Sequence, residues 1–248
     1  MPFLKCVKPS VNKEKLEKSK KIGSRHSIYA PRTKRFFKQH YKGEWENDLM
    51  VGKGMEIDSD GWMYEGDWFD GRKHGYGVLS KISKDGSIRK VYAGDWITGK
   101  KNGFASYWYE NGDYFEGYFY RDKRHGYGRM WYKNCDYYQG FWKDDLPNGK
   151  GMLVKGSPPR ISNKKMFYVF LDSLFLTGDG NRYEGCFTNG KRHGLGTFYH
   201  LDSGQRQRGC WNNDFCVSSI MEDINWRQSA LHPTEYAIPQ IYLSEISY

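Results

Sequence analysis

Along most of this chain an aromatic residue, glycine and tryptophan alternate with polar residues. In Tyr64-Glu65-Gly66-Asp67-Trp68 the two rings and the glycine fall on one side of an extended segment, and Glu65 and Asp67 fall on the other. Gly75-Tyr76-Gly77-Val78-Leu79 alternates again, and here the glycines are expected to leave room for neighbouring rings. Between the two segments lies Asp70-Gly71, and equivalent places hold Thr98-Gly99 and Asn189-Gly190. Asp60-Gly61, Asn111-Gly112 and Ser203-Gly204 each stand three residues before the next aromatic position. Such pairs supply the positive φ of tight turns, so each unit predicts one β-hairpin with the next hairpin added beside it.

The pattern repeats from Tyr41, Tyr64, Tyr92, Phe115, Tyr138 and Tyr183, with a worn copy from Gln207 that lacks the closing Gly-x-Gly. In the six good copies the aromatic and the first closing position stand eleven residues apart. Repetition of this kind predicts a one-dimensional array. The residues that carry it are Tyr41, Gly43 and Trp45; Tyr64, Gly66, Trp68, Gly75 and Gly77; Tyr92, Gly94 and Trp96; Gly117, Gly126 and Gly128; Tyr138, Gly140, Trp142, Gly149 and Gly151; and Tyr183, Gly185, Gly194 and Gly196. Ala105 and Cys135 stand where glycine is expected.

The starts step by 23, 28, 23, 23, 45 and 24 residues. The 28 reads as a loop extension near residues 83–90. The 45 exceeds the common step by 22, and deleting 22 residues between Leu153 and Leu176 restores the register. Residues 154–175 therefore read as a non-repeat insert, either an inserted loop or translated intron. The domain organisation expected is a basic arm at 1–40, an array at 41–217 and a C-terminal capping tail at 218–248.

Composition changes the picture in one respect. Phe, Trp and Tyr total 43 against 33 Leu, Ile and Val, with 29 glycines, which suits a thin sheet of rings over bare backbone better than a thick aliphatic core. Charge changes it in another. Residues 1–40 hold twelve Lys/Arg and two Glu, whereas residues 41–248 hold 27 of each sign. The net charge of +10 thus belongs to the arm, and Arg32, Lys34, Arg35 and Lys38 around Phe36-Phe37 are the candidate polyanion contact.

Five cysteines form no Cys-x-x-Cys pair, and no apolar run follows Met1, so reduced thiols in a cytoplasmic setting are expected. The longest apolar stretch, residues 166–176, is eleven residues with Asp172 inside. A spanning helix needs about 20. His74, His125 and His193 recur in Lys/Arg-His-Gly, but Asn102 and Asn148 take the same place, which fits a turn residue better than a metal ligand. No Gly-x-Gly extends to Gly-x-Gly-x-x-Gly, and no nucleophile elbow or His-Glu-x-x-His occurs. No catalytic residue, metal site or cofactor is expected.

Tyr-x-Gly-x-Trp-x-x-Gly-x-x-x-Gly-x-Gly, which Tyr64–Gly77 matches throughout, resembles the MORN repeat. A narrower likeness to one member of that family is carried by Met1-Pro2 with Lys5-Cys6, Arg89-Lys90-Val91-Tyr92, residues 180–186 and Phe198-Tyr199-His200-Leu201-Asp202. The resemblance implies an all-β, elongated, single-layer antiparallel sheet of consecutive hairpins, twisted and groove-like. It implies a non-enzymatic scaffold that binds other proteins in cytoskeletal or flagellar assemblies, and a place in the cytoplasm, cilium or vesicle-associated sites of sperm-forming cells. Weak contact of the arm with anionic lipid is the alternative function, self-association is compatible with the array, and no nucleic acid is expected.

Overall fold

The computed structural model describes residues 21–28, 37, 39–156, 181–200 and 203–224. Among them there is no helix, and hence none long and apolar enough to cross a membrane. A first strand, β1 (Gly23–Ile28), is followed by seven hairpins. These are β2 (His40–Glu46) with β3 (Leu49–Ile57), β4 (Trp62–Phe69) with β5 (Arg72–Ile82), and β6 (Ile88–Ile97) with β7 (Lys100–Trp108). Then come β8 (Tyr114–Tyr120) with β9 (Lys123–Trp131), and β10 (Tyr137–Lys143) with β11 (Leu146–Val154). The last are β12 (Arg182–Thr188) with β13 (Lys191–His200), and β14 (Gln205–Asn212) with β15 (Phe215–Asp223). Sheet order follows chain order in one open antiparallel sheet, as the alternating pattern predicts. The chain divides into two compact units, Met1–Gly103 and Phe104–Tyr248.

Each hairpin closes through a two-residue turn in which both residues have positive φ, the type I′ geometry that matches strand twist. The pairs are Asn47-Asp48, Asp70-Gly71, Thr98-Gly99, Arg121-Asp122, Asp144-Asp145, Asn189-Gly190 and Asn213-Asp214, with φ of 48–50° at the first residue and 68–82° at the second. Only three of the seven contain the glycine that made them visible in the sequence. At the opposite ends of the strands Cys135 has φ 72° in a turn where Gly61, Gly86 and Gly112 do the same task.

The second strand of a repeat carries two extra residues. Gly66 lies opposite Gly77, yet Trp68 lies opposite Lys73. The same shift separates Gly140/Gly151 from Trp142/Pro147 and Gly185/Gly196 from Phe187/Arg192. The first glycine of each closing pair sits in this bulge with positive φ, 60° at Gly75 and 79° at Gly126. The expectation that both glycines make room for rings therefore needs correction. A Cβ on Gly75 would meet Asp67 on the opposite face, and one on Gly126 would meet Tyr118; only the second glycine, such as Gly77 or Gly128, lies beneath a ring.

Gly23–Ile28 falls inside the expected arm but forms a strand paired with β2, with Gly23 opposite Trp45 and Arg25 opposite Gly43. That register is the one β3 keeps with β4, where Gly52 faces Trp68 and Gly54 faces Gly66. β1 is thus the second strand of a further repeat, with arginine in the place of the second glycine. The insert leaves its mark only in numbering. β11 pairs directly with β12, Leu153 opposite Tyr183, an offset of 30 where Glu56/Tyr64 and Met130/Tyr138 have 8. The difference is the 22 residues counted from the sequence, and most of the insert lies outside the described residues. Of the expected tail, residues 218–223 complete β15 and residues 225–248 lie outside the described residues.

Candidate functional site

The ring face is built first, because it fixes everything else. In the first unit, Tyr41, Trp45, Tyr64, Trp68, Tyr92 and Trp96 are all buried, and they form an unbroken edge-to-face series. Tyr41 meets Trp45 and Trp68, Tyr64 meets Trp68 and Trp96, and Tyr92 meets Trp96, at centroid distances of 5.0–5.3 Å. The second unit repeats the series with Phe115, Phe119, Trp142, Tyr138, Phe187, Tyr183 and Trp211 at 5.1–5.4 Å. Such pairs contribute about 0.5–1.5 kcal/mol each beyond area burial.

Tyr41, Tyr64, Phe115, Tyr138 and Tyr183 each lie over the facing glycines of their own hairpin, and in the third repeat Ala105 replaces one of the two. In the repeats that open with tyrosine the hydroxyl donates to the carbonyl three residues on: Tyr64 to Asp67 (2.9 Å), Tyr92 to Asp95 (2.7 Å), Tyr138 to Phe141 (3.0 Å) and Tyr183 to Cys186 (3.2 Å). Three tryptophans donate the indole N–H to the carbonyl of the second glycine of the repeat before: Trp68 to Gly54, Trp96 to Gly77 and Trp142 to Gly128, at 3.2–3.3 Å. Burial pushes the phenols of Tyr64 and Tyr183 above their ordinary range, helped by Asp67 at Tyr64 and by Cys186 at Tyr183. Trp45 is the exception, its buried N–H lacking a partner where β1 supplies Arg25 instead of a glycine.

Cations cover the rings. Lys21 stands 4.3 Å from the centroid of Trp45, Lys73 stands 5.0 Å from Tyr64, and Arg124 lies 4.3 Å from Trp142. Such contacts contribute about 0.5–2 kcal/mol. The same residues lock successive turns together. Arg124 donates through its backbone N–H and Nε to the Asp145 carboxylate, and through Nη2 to the Asp145 carbonyl. Arg192 does the same with Asp214. Where the turn ends in Gly190, the covering position is Pro147, which has no N–H to offer; what remains is the bond from the Gly190 N–H to the Pro147 carbonyl, which Asp145 also makes to Arg124 and Asp214 to Arg192.

The opposite face differs between the units. In the first, the row beside the bulges reads Glu44, Lys53, Asp67, Tyr76 and Asp95, with Lys53 paired to Asp67 and the Tyr76 N–H donating to Asp67. In the second unit the same row begins Phe104, Tyr118, Tyr127 and Phe141, before it passes to Lys150, Cys186, Leu195 and Cys210. Phe104 and Tyr118 meet edge to face at 5.5 Å, as do Tyr127 and Phe141 at 5.7 Å, yet three of these rings are about half exposed. Beside them a small core of Tyr137, Met152 and Val154 packs against Trp131. Tyr137 donates to Gln139 (2.8 Å) and Gln139 donates to the Tyr127 hydroxyl, so the buried core fixes the ring on which the exposed Phe141 rests. The alternating pattern predicted a thin sheet and missed this second layer of contacts.

The structure places the predicted repeat residues along the ring face and in the bulges rather than around one concave centre. Arg32, Lys34, Arg35 and Lys38 lie outside the described residues. His74 and His125 lie tilted against Phe69 and Tyr120 at hairpin ends, with ring centroids 5.6 and 5.8 Å apart. Among the described residues no group of three or more His, Cys, Asp or Glu side chains could hold a metal ion.

Six segments of the chain, residues 41–63, 64–85, 92–114, 115–134, 138–157 and 183–202, match the family described as the MORN repeat. MORN repeat-containing protein 3 of Xenopus laevis is 35% identical over 122 residues, which cover 46% of this chain and 48% of that relative. The chain thus spans about half the length of the curated relative it matches. The six family matches together take in just over half of the chain, and their starts coincide with the rings of the edge-to-face series; this chain belongs to the MORN repeat family.

Proposed function

We propose that this chain is a non-enzymatic scaffold that binds other proteins through its sheet surface, in a cytoskeletal or flagellar assembly of ciliated or sperm-forming cells. Repeats of this family commonly mediate binding to proteins or membranes. The observation that favours protein is the row Phe104, Tyr118, Tyr127 and Phe141, in which Gln139 and ring contacts hold Tyr127 while the other three rings are about half open to solvent. Rigid aromatic anchors of this kind carry most of the binding energy in protein interfaces. The neighbouring side chains Glu116, Arg129 and Lys150 mix both signs, which suits a protein surface better than a uniformly anionic membrane.

Proximity labelling in ciliated or sperm-forming cells tests the reading. The full chain should label a defined set of proteins, and Phe104→Ser with Phe141→Ser should lose that set while folding normally. Equal labelling by both forms would refute it. Retention on anionic vesicles that survives the double substitution and falls with salt would favour the basic arm instead.

A further inference from the structure

We propose that the row Phe104, Tyr118, Tyr127 and Phe141 receives a proline-rich segment in the polyproline II conformation, with an acidic residue of that segment on Lys150. The inference rests on the scaffold reading above and names the kind of partner. Phe104 meets Tyr118 edge to face at the boundary between the third and fourth repeats, and Tyr127 meets Phe141 in the same way at the next boundary. Between the two pairs lies the bulge of the β8–β9 hairpin, where the register shifts between Gly117 and Phe119. The row is therefore two aromatic platforms one repeat apart.

One repeat is two strands, so the platforms stand about 9.6 Å apart. A polyproline II helix has about 3 residues per turn and rises about 3.1 Å per residue, so one face recurs at intervals of about 9.3 Å. Two prolines spaced three apart thus meet the two platforms in step. An extended strand presents one face at intervals of about 6.7 Å, and an α-helix at about 5.4 or 10.5 Å, so both fall further out of step.

Hydrogen bonding and charge point to the same occupant. A polyproline II segment satisfies none of its own carbonyls, so a surface that grips it offers donors between rings. The Tyr127 hydroxyl accepts from Gln139, whose own oxygen is taken by Tyr137, and among the described residues the Tyr127 proton has no acceptor. Gln139 is buried, so this donor is held from below. The next pair in the row is Lys150 with Cys186, and Lys150 is exposed and in no ion pair among the described residues. A third residue on the same face of the ligand reaches this pair, which suits Asp or Glu and sets the direction of the segment. The motif that fits is Pro-x-x-Pro-x-x-Glu or its aspartate equivalent.

Fluorescence anisotropy with the full chain and the labelled peptide Ala-Pro-Ala-Ala-Pro-Ala-Ala-Glu tests the proposal. Binding is expected with a Kd of about 100 μM. Pro-Ala-Ala-Ala-Pro-Ala-Ala-Glu has the same composition with the prolines four apart, and it should bind at least about tenfold more weakly. Tyr127→Phe keeps the ring and loses the donor, for a loss of about fivefold. Lys150→Glu should weaken the first peptide by about tenfold and restore binding to the same peptide ending in lysine. Phe104→Ser with Phe141→Ser should abolish binding with the circular dichroism unchanged. Equal binding of the two proline spacings, indifference to both Tyr127→Phe and Lys150→Glu, or no binding at up to about 5 mM peptide would overturn the proposal. Should the double serine variant not fold, the comparison of spacings decides alone. Phosphatidylserine vesicles or a second copy of the chain held by the row, and released by the two serines, would overturn it too and assign the rings to that occupant. The labelling comparison above uses no peptide, so failed peptide binding beside row-dependent labelling removes the proline-rich partner and keeps the scaffold.

Discussion

Between Glu44 and Asp95 the row beside the bulges is held by carboxylates and a lysine with one ring, Tyr76, among them, while between Phe104 and Phe141 the same row is held by rings alone. On the ring face the two units are built alike, with edge-to-face series that agree within a few tenths of an ångström. The contrast separates what the repeat needs from what it tolerates. A ring over a glycine pair leaves little freedom, because a Cβ at Gly77 or Gly128 would overlap the ring of Tyr64 or Phe115, and only the small Ala105 takes that place in the third repeat. Beside the bulge the first-strand residue only has to cover the positive-φ glycine. Asp67 does this by accepting the Tyr76 N–H, and Tyr118 does it by lying 3.4 Å from where a Gly126 Cβ would stand. Solvent-side chemistry can therefore drift from charged to aromatic while the hairpin keeps its bulge.

The largest effect should come where the two units agree. Gly77→Val in the first unit and Gly128→Val in the second should each cost about 3 kcal/mol or more, since backbone and ring must both move. Urea denaturation with each variant measures this. A cost below about 1 kcal/mol in either unit would break the claim that the ring faces are equivalent. Gly75→Ala and Gly126→Ala should cost less, about 1–2 kcal/mol, because they meet a strained φ rather than a ring.

Alkali should act more strongly on the second unit. A free tyrosine ionises near pH 10. Burial pushes Tyr109 up to about 12, partly opposed by the charge of Arg124, and pushes Tyr137 up as well. Above pH 10 the unfolded chain sheds these protons while the folded chain keeps them, so stability present below pH 10 is lost as pH rises through about 12. Tyr109→Phe should flatten that loss and leave neutral-pH stability little changed. Phenolate absorbance read against circular dichroism follows both, and phenol ionisation near pH 10 ahead of unfolding would count against burial as the cause.

Exchanging the row itself should move stability least and binding most. Tyr118→Asp imports the residue of the first unit, and its carboxylate can accept the Tyr127 N–H as Asp67 accepts that of Tyr76. The expected change in stability is within about 1 kcal/mol. Protein capture should fall sharply if the rings are the adhesive element, and unchanged capture would detach function from the row.

Much of this was legible in the sequence. Tyr-x-Gly-x-Trp could be placed on one face because alternation is local, and Asp70-Gly71 marked its turn because glycine advertises positive φ. Asn47-Asp48, Arg121-Asp122 and Asp144-Asp145 make the same turn without glycine, so only the register of the neighbouring strands shows them. The first closing glycine was assigned to the wrong task because a bulge of two residues leaves no trace in spacing; Gly75 and Gly77 look alike until Trp68 is seen opposite Lys73. β1 was hidden by Arg25 in a glycine position and by the charge around it. The Arg124–Asp145 and Arg192–Asp214 locks join residues more than twenty apart and appear only once hairpins are stacked.

The smallest effect concerns a difference inside the ring series. Four of the six good repeats donate a hydrogen bond of 2.7–3.2 Å from the opening tyrosine across the bulge, and Tyr41 makes a longer one of 3.3 Å. Phe115 cannot. Its ring nonetheless occupies the same place, with Cζ 2.5 Å from where a Gly128 Cβ would stand. A hydroxyl added there would point at the carbonyl of Tyr118, three residues on, as that of Tyr138 points at Phe141. Phe115→Tyr should therefore stabilise the second unit by about 0.5–1 kcal/mol, the net worth of one hydrogen bond. The gain should vanish if the bulge is removed by deleting Gly126 and Tyr127, since the carbonyl then turns away. Thermal melts of the single substitution and of the combination decide it: an unchanged midpoint for Phe115→Tyr in the intact bulge would mean that the tyrosine hydroxyls ride on the ring series without helping to hold it.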